Sequence, residues 1–306
     1  MAAALEVRDL HKAYKDVVAV DGLQLEVRSG ECFGLLGPNG AGKTTTIEIC
    51  EGLIEADSGS VEMLGMRWET DSGKLRQRLG IQLQDTQLSE KLTVLETVRL
   101  FRSFYHAGPS PRDAIGLVQL QEKQKARVGT LSGGQKQRLA MACALVGDPE
   151  FLFLDEPTTG LDPQARRQLW DLIEQFKLAG RTILLTTHYM DEAERLCDRV
   201  AIMDHGKIIA LGTPRELIAS IGVEHVVEFS AGGTIAASAL REIDGVREVT
   251  AENGSVQLQV TELHRAVPAL LAELNRQGLP LTELRTHSAT LEDVFVTLTG
   301  RRLRDE

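Results

Sequence analysis

A chain of 306 residues with 42% apolar content carries enough hydrophobic material for about two packed domains, which excludes a disordered polymer. Its net charge of −10 argues against a general nucleic-acid-binding face but leaves room for a local positive site that holds an anion. The four cysteines, Cys32, Cys50, Cys143 and Cys197, form no C-x-x-C pair and read as reduced, buried, cytosolic residues rather than as disulfides or metal ligands. Residues 1–10 show no signal-peptide pattern, and no apolar run approaches the roughly 18 residues that a membrane span needs.

In chain order, residues 5–8, 17–20 and 23–27 alternate like short strands, with Asp21-Gly22 and Ser29-Gly30 as turn signals; together they predict a small β layer. The apolar run Cys32-Phe33-Gly34-Leu35-Leu36 then leads into Gly37-Pro38-Asn39-Gly40-Ala41-Gly42-Lys43-Thr44, and a helix is predicted over 45–52. This is a phosphate-binding loop in its full strand–loop–helix context. Several backbone N–H groups must converge on an anion, so the loop needs glycine for positive φ and close approach. Lys43 reaches toward the β- and γ-phosphates, Thr44 offers a hydroxyl to Mg²⁺, and Thr45 opens the helix whose positive end faces the phosphates. The ligand class is a nucleoside triphosphate.

A strand follows at 59–65. Leu95, Val98, Phe101, Phe104 and Tyr105 then recur at helical spacing, and Ser110-Pro111 starts another helix before 114–120, so a helical subdomain is inserted. Leu131-Ser132-Gly133-Gly134-Gln135 precedes a helix over 136–146, where small residues expose a second set of N–H groups at a helix N-terminus. Residues 151–154 and 182–187 are short apolar or β-branched runs, as strands buried on both faces should be, and the helix predicted over 163–178 between them implies a mainly parallel sheet. Near residue 220 the pattern changes. A helix from Pro214 to Ile218 ends one domain, 1–220. A strand at 226–229, a helix at 236–243, a hairpin pairing 246–250 with 256–260 around Asn253-Gly254, a helix at 262–276 and a strand at 281–286 follow. That βαββαβ order predicts a small ferredoxin-like α+β domain over 221–300, closed by a helix at 291–298 and followed by a charged tail, 301–306.

With the phosphate loop and Leu131 to Gln135 in place, residues 1 to about 220 resemble the ATP-binding subunit of an ABC transporter. The resemblance implies a head-to-tail homodimer with two ATP molecules sandwiched between the phosphate loop of one copy and Ser132, Gly133, Gly134 and Gln135 of the other. It makes Phe151-Leu152-Phe153-Leu154-Asp155-Glu156 the Walker B strand, with Asp155 as Mg²⁺ partner and Glu156 as the general base that polarises the attacking water. His188 in Thr186-Thr187-His188 matches the switch histidine, and Gln84 the glutamine that senses Mg²⁺ and water, although Leu83 stands where the family commonly has proline and Gln82 offers a competing register. Asp162 in Gly160-Leu161-Asp162 resembles the loop that joins one site to the other, and Tyr14 the aromatic that stacks on adenine. Leu291 to Gly300 is similar to the closing motif of daunorubicin-resistance-like ATPases, from the drug, polysaccharide and lipid exporter branch. The implied setting is the cytoplasmic face of the membrane, with polytopic permease subunits as partners and no nucleic acid; the alternative is a soluble relative acting on ribosomes or DNA.

Overall fold

The computed structural model describes residues 3–83, 86–233, 237–252 and 255–300. It divides between Thr213 and Pro214 into two compact units. In the first, β1 (Ala3–Tyr14), β2 (Val17–Arg28), β3 (Cys32–Leu36), α1 (Lys43–Cys50) and β4 (Ser58–Met63) are followed by α2 (Trp68–Arg78) and β5 (Leu79–Gln82). Next come the helices α3 (Val94–Arg102), α4 (Pro111–Leu117) and α5 (Gly133–Leu145). The chain then alternates through β6 (Phe151–Asp155), α6 (Pro163–Leu178), β7 (Thr182–Thr187), α7 (Met190–Leu196), β8 (Arg199–Asp204) and β9 (Lys207–Gly212).

The sheet that carries the phosphate loop has the order β5-β6-β7-β3-β8-β9, parallel throughout except for the antiparallel edge strand β9. Every residue of β3, β6 and β7 is buried, which explains their near-continuous apolar sequences: both faces of a central parallel strand are covered. The N-terminal layer is a separate antiparallel sheet, β2-β1-β4. Its three expected short strands are in fact two long ones. Asp21-Gly22 is a bulge, not a turn: Leu10 pairs with Leu23 and Lys12 with Val20, so two residues oppose His11 alone, and Gly22 takes φ 64°. The chain reverses instead at Lys15-Asp16, with Lys15 at φ 49°, a turn without the glycine that would have advertised it.

The second unit contains α8 (Pro214–Ser220), β10 (His225–Ala231), α9 (Ala237–Arg241), β11 (Val246–Glu252), β12 (Ser255–Val260), α10 (Leu263–Arg276), β13 (Leu281–Ser288) and α11 (Leu291–Thr299). Its sheet runs β11-β12-β10-β13 with every pairing antiparallel, the ferredoxin-like arrangement expected from the βαββαβ order. Val227, Phe229, Leu258, Val260, Leu270 and Leu274 form its core. The predicted hairpin turn at Asn253-Gly254 and the tail 301–306 lie outside the described residues.

Candidate nucleotide site

Three neighbouring strands place the site. The carboxyl ends of β6, β7 and β3 lie side by side, and the phosphate loop, the acidic pair and His188 each begin where one of these strands stops. The loop is tightly built. A Cβ on Gly37 would meet the Met203 carbonyl oxygen at 2.2 Å, and one on Gly42, at φ 100°, would meet the Ala19 carbonyl oxygen at 2.0 Å. Only glycine fits either position. Lys43 is buried, and its Nζ donates to the Gly37 carbonyl at 2.8 Å and the Pro38 carbonyl at 3.0 Å. The contact at Ala19 also brings the β1–β2 hairpin to the loop. Tyr14, paired with Val17 near the tip of that hairpin, is half exposed, with the Lys12 ammonium 5.6 Å from its ring centre.

At the end of β6, Asp155 and Glu156 are both buried and are organised by one hydroxyl. Thr186 Oγ1 donates to Asp155 Oδ1 and accepts from the Glu156 backbone N–H at 2.9 Å. Glu156 takes φ 44°, an unusual conformation for a non-glycine residue that turns the chain sharply off the strand. Its Oε2 lies 3.2 Å from His188 Nδ1 and accepts from Thr159 Oγ1 at 3.0 Å. The contact with His188 is the leading cause that holds the Glu156 carboxyl below the ordinary range, outweighing the burial that would raise it, and Lys43 adds a smaller effect of the same sign. The group is thus an ionised carboxylate at neutral pH. Motif reading quotes Thr186 only as a neighbour of His188 and does not single out Thr159; the organising role of the Thr186 hydroxyl emerges only when β7 pairs beside β6.

Leu131 to Gln135 form a second construction. Ser132 caps α5 in a capping box: its Oγ accepts from Gln135 N–H at 3.3 Å, and its own N–H donates to Gln135 Oε1 at 3.0 Å. Gly134 is required by packing, since a Cβ there would meet Ala165 Cβ of α6 at 2.9 Å, whereas Gly133 faces open space. Asp162 caps α6 through 2.9 and 3.0 Å bonds from the N–H groups of Gln164 and Ala165. Between these two helix starts lies a cavity of about 420 Å³ lined by Gly133, Gln137, Thr159 and Gly160. Pro38, Asn39, Gly40, Ala41, Thr44 and Thr45 all fall in the loop and the first turn of α1, as expected. Gln84 lies outside the described residues.

Beside the site is an apolar groove of about 550 Å³, lined among others by Leu53, Trp68, Ile81, Leu83, Phe101 and Phe104. Phe104 is 63% exposed and Leu53 55%. Sequence reading missed Glu51, which reaches this groove from the end of α1. Glu51 is 2% exposed, neither carboxyl oxygen has a hydrogen-bond partner, and burial, reinforced by the Asp155 charge, pushes its pKa up to about 8.

A mainly parallel sheet, a phosphate loop after its central strand β3 and an ionised carboxylate at the end of β6, one strand removed, define a P-loop nucleoside triphosphatase. Residues 20–159 match the family model described as ABC transporter, and residues 212–299 match the C-terminal domain of ATP-binding proteins like DrrA1-3. The linearmycin resistance ATP-binding protein LnrL of Bacillus subtilis (strain 168) is 36% identical over 310 residues, covering 98% of this chain and 100% of that protein. The Nod factor export ATP-binding protein I of Burkholderia orbicola (strain AU 1054) is 40% identical over 311 residues, covering 99% of each. A solved structure of an ATP binding subunit of an ABC transporter superposes with a TM-score of 0.65 at 31% identity, over 72% of this chain and 93% of that one. The chain belongs to the ABC transporter family, as an ATP-binding and ATP-hydrolysing subunit.

Proposed function

We propose that this chain powers export of a substrate through separate polytopic permease subunits, acting as a homodimer at the cytoplasmic face of the membrane. The observation that carries the ATPase half is the convergence of Lys43, Asp155, Glu156 and His188 at three adjacent strand ends. Export rests on the relatives, which are named for drug resistance and for Nod factor export. Among the described residues no helix is long and apolar enough to cross a membrane, so the pore is assigned to a partner. The apolar groove, with its exposed Phe104 and Leu53 and flanked by Leu83 and Thr86, is the surface assigned to that partner.

In this reading the backbone N–H groups of residues 39–45 and the Lys43 ammonium hold the phosphates, and Tyr14 stacks on the base. Glu156 accepts the hydrogen bond that orients the attacking water and takes up its proton, while His188, held against the same carboxylate, lies beside the γ-phosphate. Ser132, Gly133, Gly134 and Gln135 of one copy close over the triphosphate of the other, with Asp162 and Gln84 relaying the state of the site. The donor set suits Mg²⁺. Thr44 and Asp155 offer hard oxygens, which suit an ion bound through one carboxylate, substrate phosphates and water. When bound, Mg²⁺ supplies charge neutralisation across the phosphates. Glu156→Gln tests the reading: ATP binding should persist, turnover should fall by about 10²–10⁴, and light scattering in saturating Mg-ATP should show a dimer. A mutant that stays monomeric there would remove the sandwich mechanism.

A further inference from the structure

Among the described residues, the second unit's sheet ends on one side in a long strand with no strand beside it. β13 is the outer strand of its sheet, eight residues long, and Thr282, Glu283, Arg285, Thr286, His287 and Ser288 along it are all exposed. It contains neither proline nor lysine, the residues that commonly guard such an edge against pairing. We infer that β13 pairs antiparallel with β13 of a second copy, joining two four-stranded sheets into one continuous sheet across a two-fold axis.

Symmetry makes this inference specific. When a strand pairs with its own copy about an axis perpendicular to the sheet, opposite residues must lie on the same face, so their numbers must differ by an even amount. Centring the axis on Leu284 sets Leu284 against itself and Thr282 against Thr286. It also sets Glu283 of each copy against Arg285 of the other. In the single chain these two side chains, both largely exposed, meet each other at 2.6 Å; across the axis each would gain an opposite charge from the second copy. Two cross-strand ion pairs and a Leu–Leu contact then favour one register.

The opposite edge of the same sheet offers no such match. On β11 the register against β12 shifts between Val246 and Glu248, an irregularity at Arg247 that breaks the regular alternation a two-fold strand pairing needs, and centring on Val249 sets Glu248 against Thr250 rather than against a basic residue. The partner chemistry is therefore a second copy of this chain, met through β13. This contact involves no residue of the nucleotide site, so it would hold two copies together while the ATP-dependent contacts are open, raising their effective concentration for the next closure.

The test uses the full chain without nucleotide. Leu284→Cys should form an intermolecular disulfide under mild oxidation, because the residue faces its own copy; the native cysteines are all buried, so background should be low. Arg247→Cys on β11 is the control and should cross-link far less. In sedimentation equilibrium, Arg285→Glu should weaken nucleotide-free association by about tenfold or more, replacing two attractive pairs by two repulsive ones. The swap Glu283→Arg with Arg285→Glu should restore it. Equal cross-linking of Leu284→Cys and Arg247→Cys, or unchanged association in Arg285→Glu, would overturn the inference. Measured in the Arg285→Glu background, where the β13 contact is removed, Glu156→Gln should still dimerise on addition of Mg-ATP, so failure of the sandwich reading stays distinguishable from failure of this inference.

Discussion

The two units bury polar groups for different purposes. In the second, the buried polar residues Gln259 and Asp293 are paired as structural groups: Gln259 Nε2 donates to Thr297 at 3.0 Å, and Asp293 accepts from Thr290 N–H at 2.8 Å in the capping box of α11. In the first, Lys43, Asp155, Glu156, Thr186 and Thr187 are buried at the ends of three adjacent strands, in a φ-strained and charge-rich arrangement. Burying charge costs several kcal/mol per ion even after relaxation, so it persists where something other than stability retains it. A parallel sheet with a loop at every strand end concentrates such groups at one rim; an antiparallel sheet covered by helices does not.

The largest expected break of this contrast is Thr186→Val. The side chain keeps its shape, but Asp155 loses a donor and the buried Glu156 N–H loses its acceptor. Leaving that N–H unpaired costs about 1–3 kcal/mol, and the same order in misplaced Glu156 should lower the ATPase rate by about ten- to a hundredfold. A calorimetric melt and a steady-state ATPase assay read the two effects. Wild-type turnover in Thr186→Val would mean that the hydroxyl only fills space.

His188→Ala sharpens the same comparison through pH. His188 is the main reason that the Glu156 carboxyl titrates low, so wild-type Glu156 remains a base as pH falls below the ordinary carboxylate range. Without the imidazole the carboxyl rises, and activity should be lost at a higher pH on the acid side, on top of a lower plateau. A pH–rate profile at saturating ATP decides it; an unmoved acid limb would detach His188 from Glu156.

Much of this was legible in the residues themselves. The strand–loop–helix context of Gly37 to Thr44 and the buried run before Asp155 announce themselves because local backbone chemistry allows few alternatives. Less legible were features created by tertiary contact. The reversal at Lys15-Asp16 carries no glycine, and the short β5 is a strand only because β6 lies beside it. Glu51 reads as a solvated helix end until the fold closes over it. The resemblance gives Ser132 and Asp162 roles across a dimer, and within one chain each also caps a helix; for Ser132 the cap is legible from a Ser-Gly turn before a helical run, whereas the Asp162 cap is not singled out by the motif.

Glu51→Gln probes the cost of a charge buried without a partner. In the folded chain its pKa is pushed up to about 8, against an ordinary value of 4.5, so between those limits the folded state holds a proton that the unfolded state releases. Stability therefore falls as pH rises from about 5 to about 8, and the neutral amide removes that fall. The variant should melt close to wild type at pH 5 and a few degrees higher at pH 8, for an effect on the order of 2 kcal/mol. A melting difference independent of pH would show that Glu51 ionises freely.

The smallest expected effect lies in the second unit and checks the contrast from the other side. Thr290 caps α11, its hydroxyl donating to Asp293 Oδ2 at 2.8 Å while Asp293 also accepts from its backbone N–H. Thr290→Ala removes the cap hydroxyl and should cost about 1 kcal/mol, a shift of a few degrees at most. Because this polar group holds up a helix and touches no phosphate, ATP turnover per folded molecule should not change. A fall in turnover larger than the fall in folded fraction would mean that the α11 capping box also reports to the nucleotide site, and the division of labour between the units would have to be redrawn.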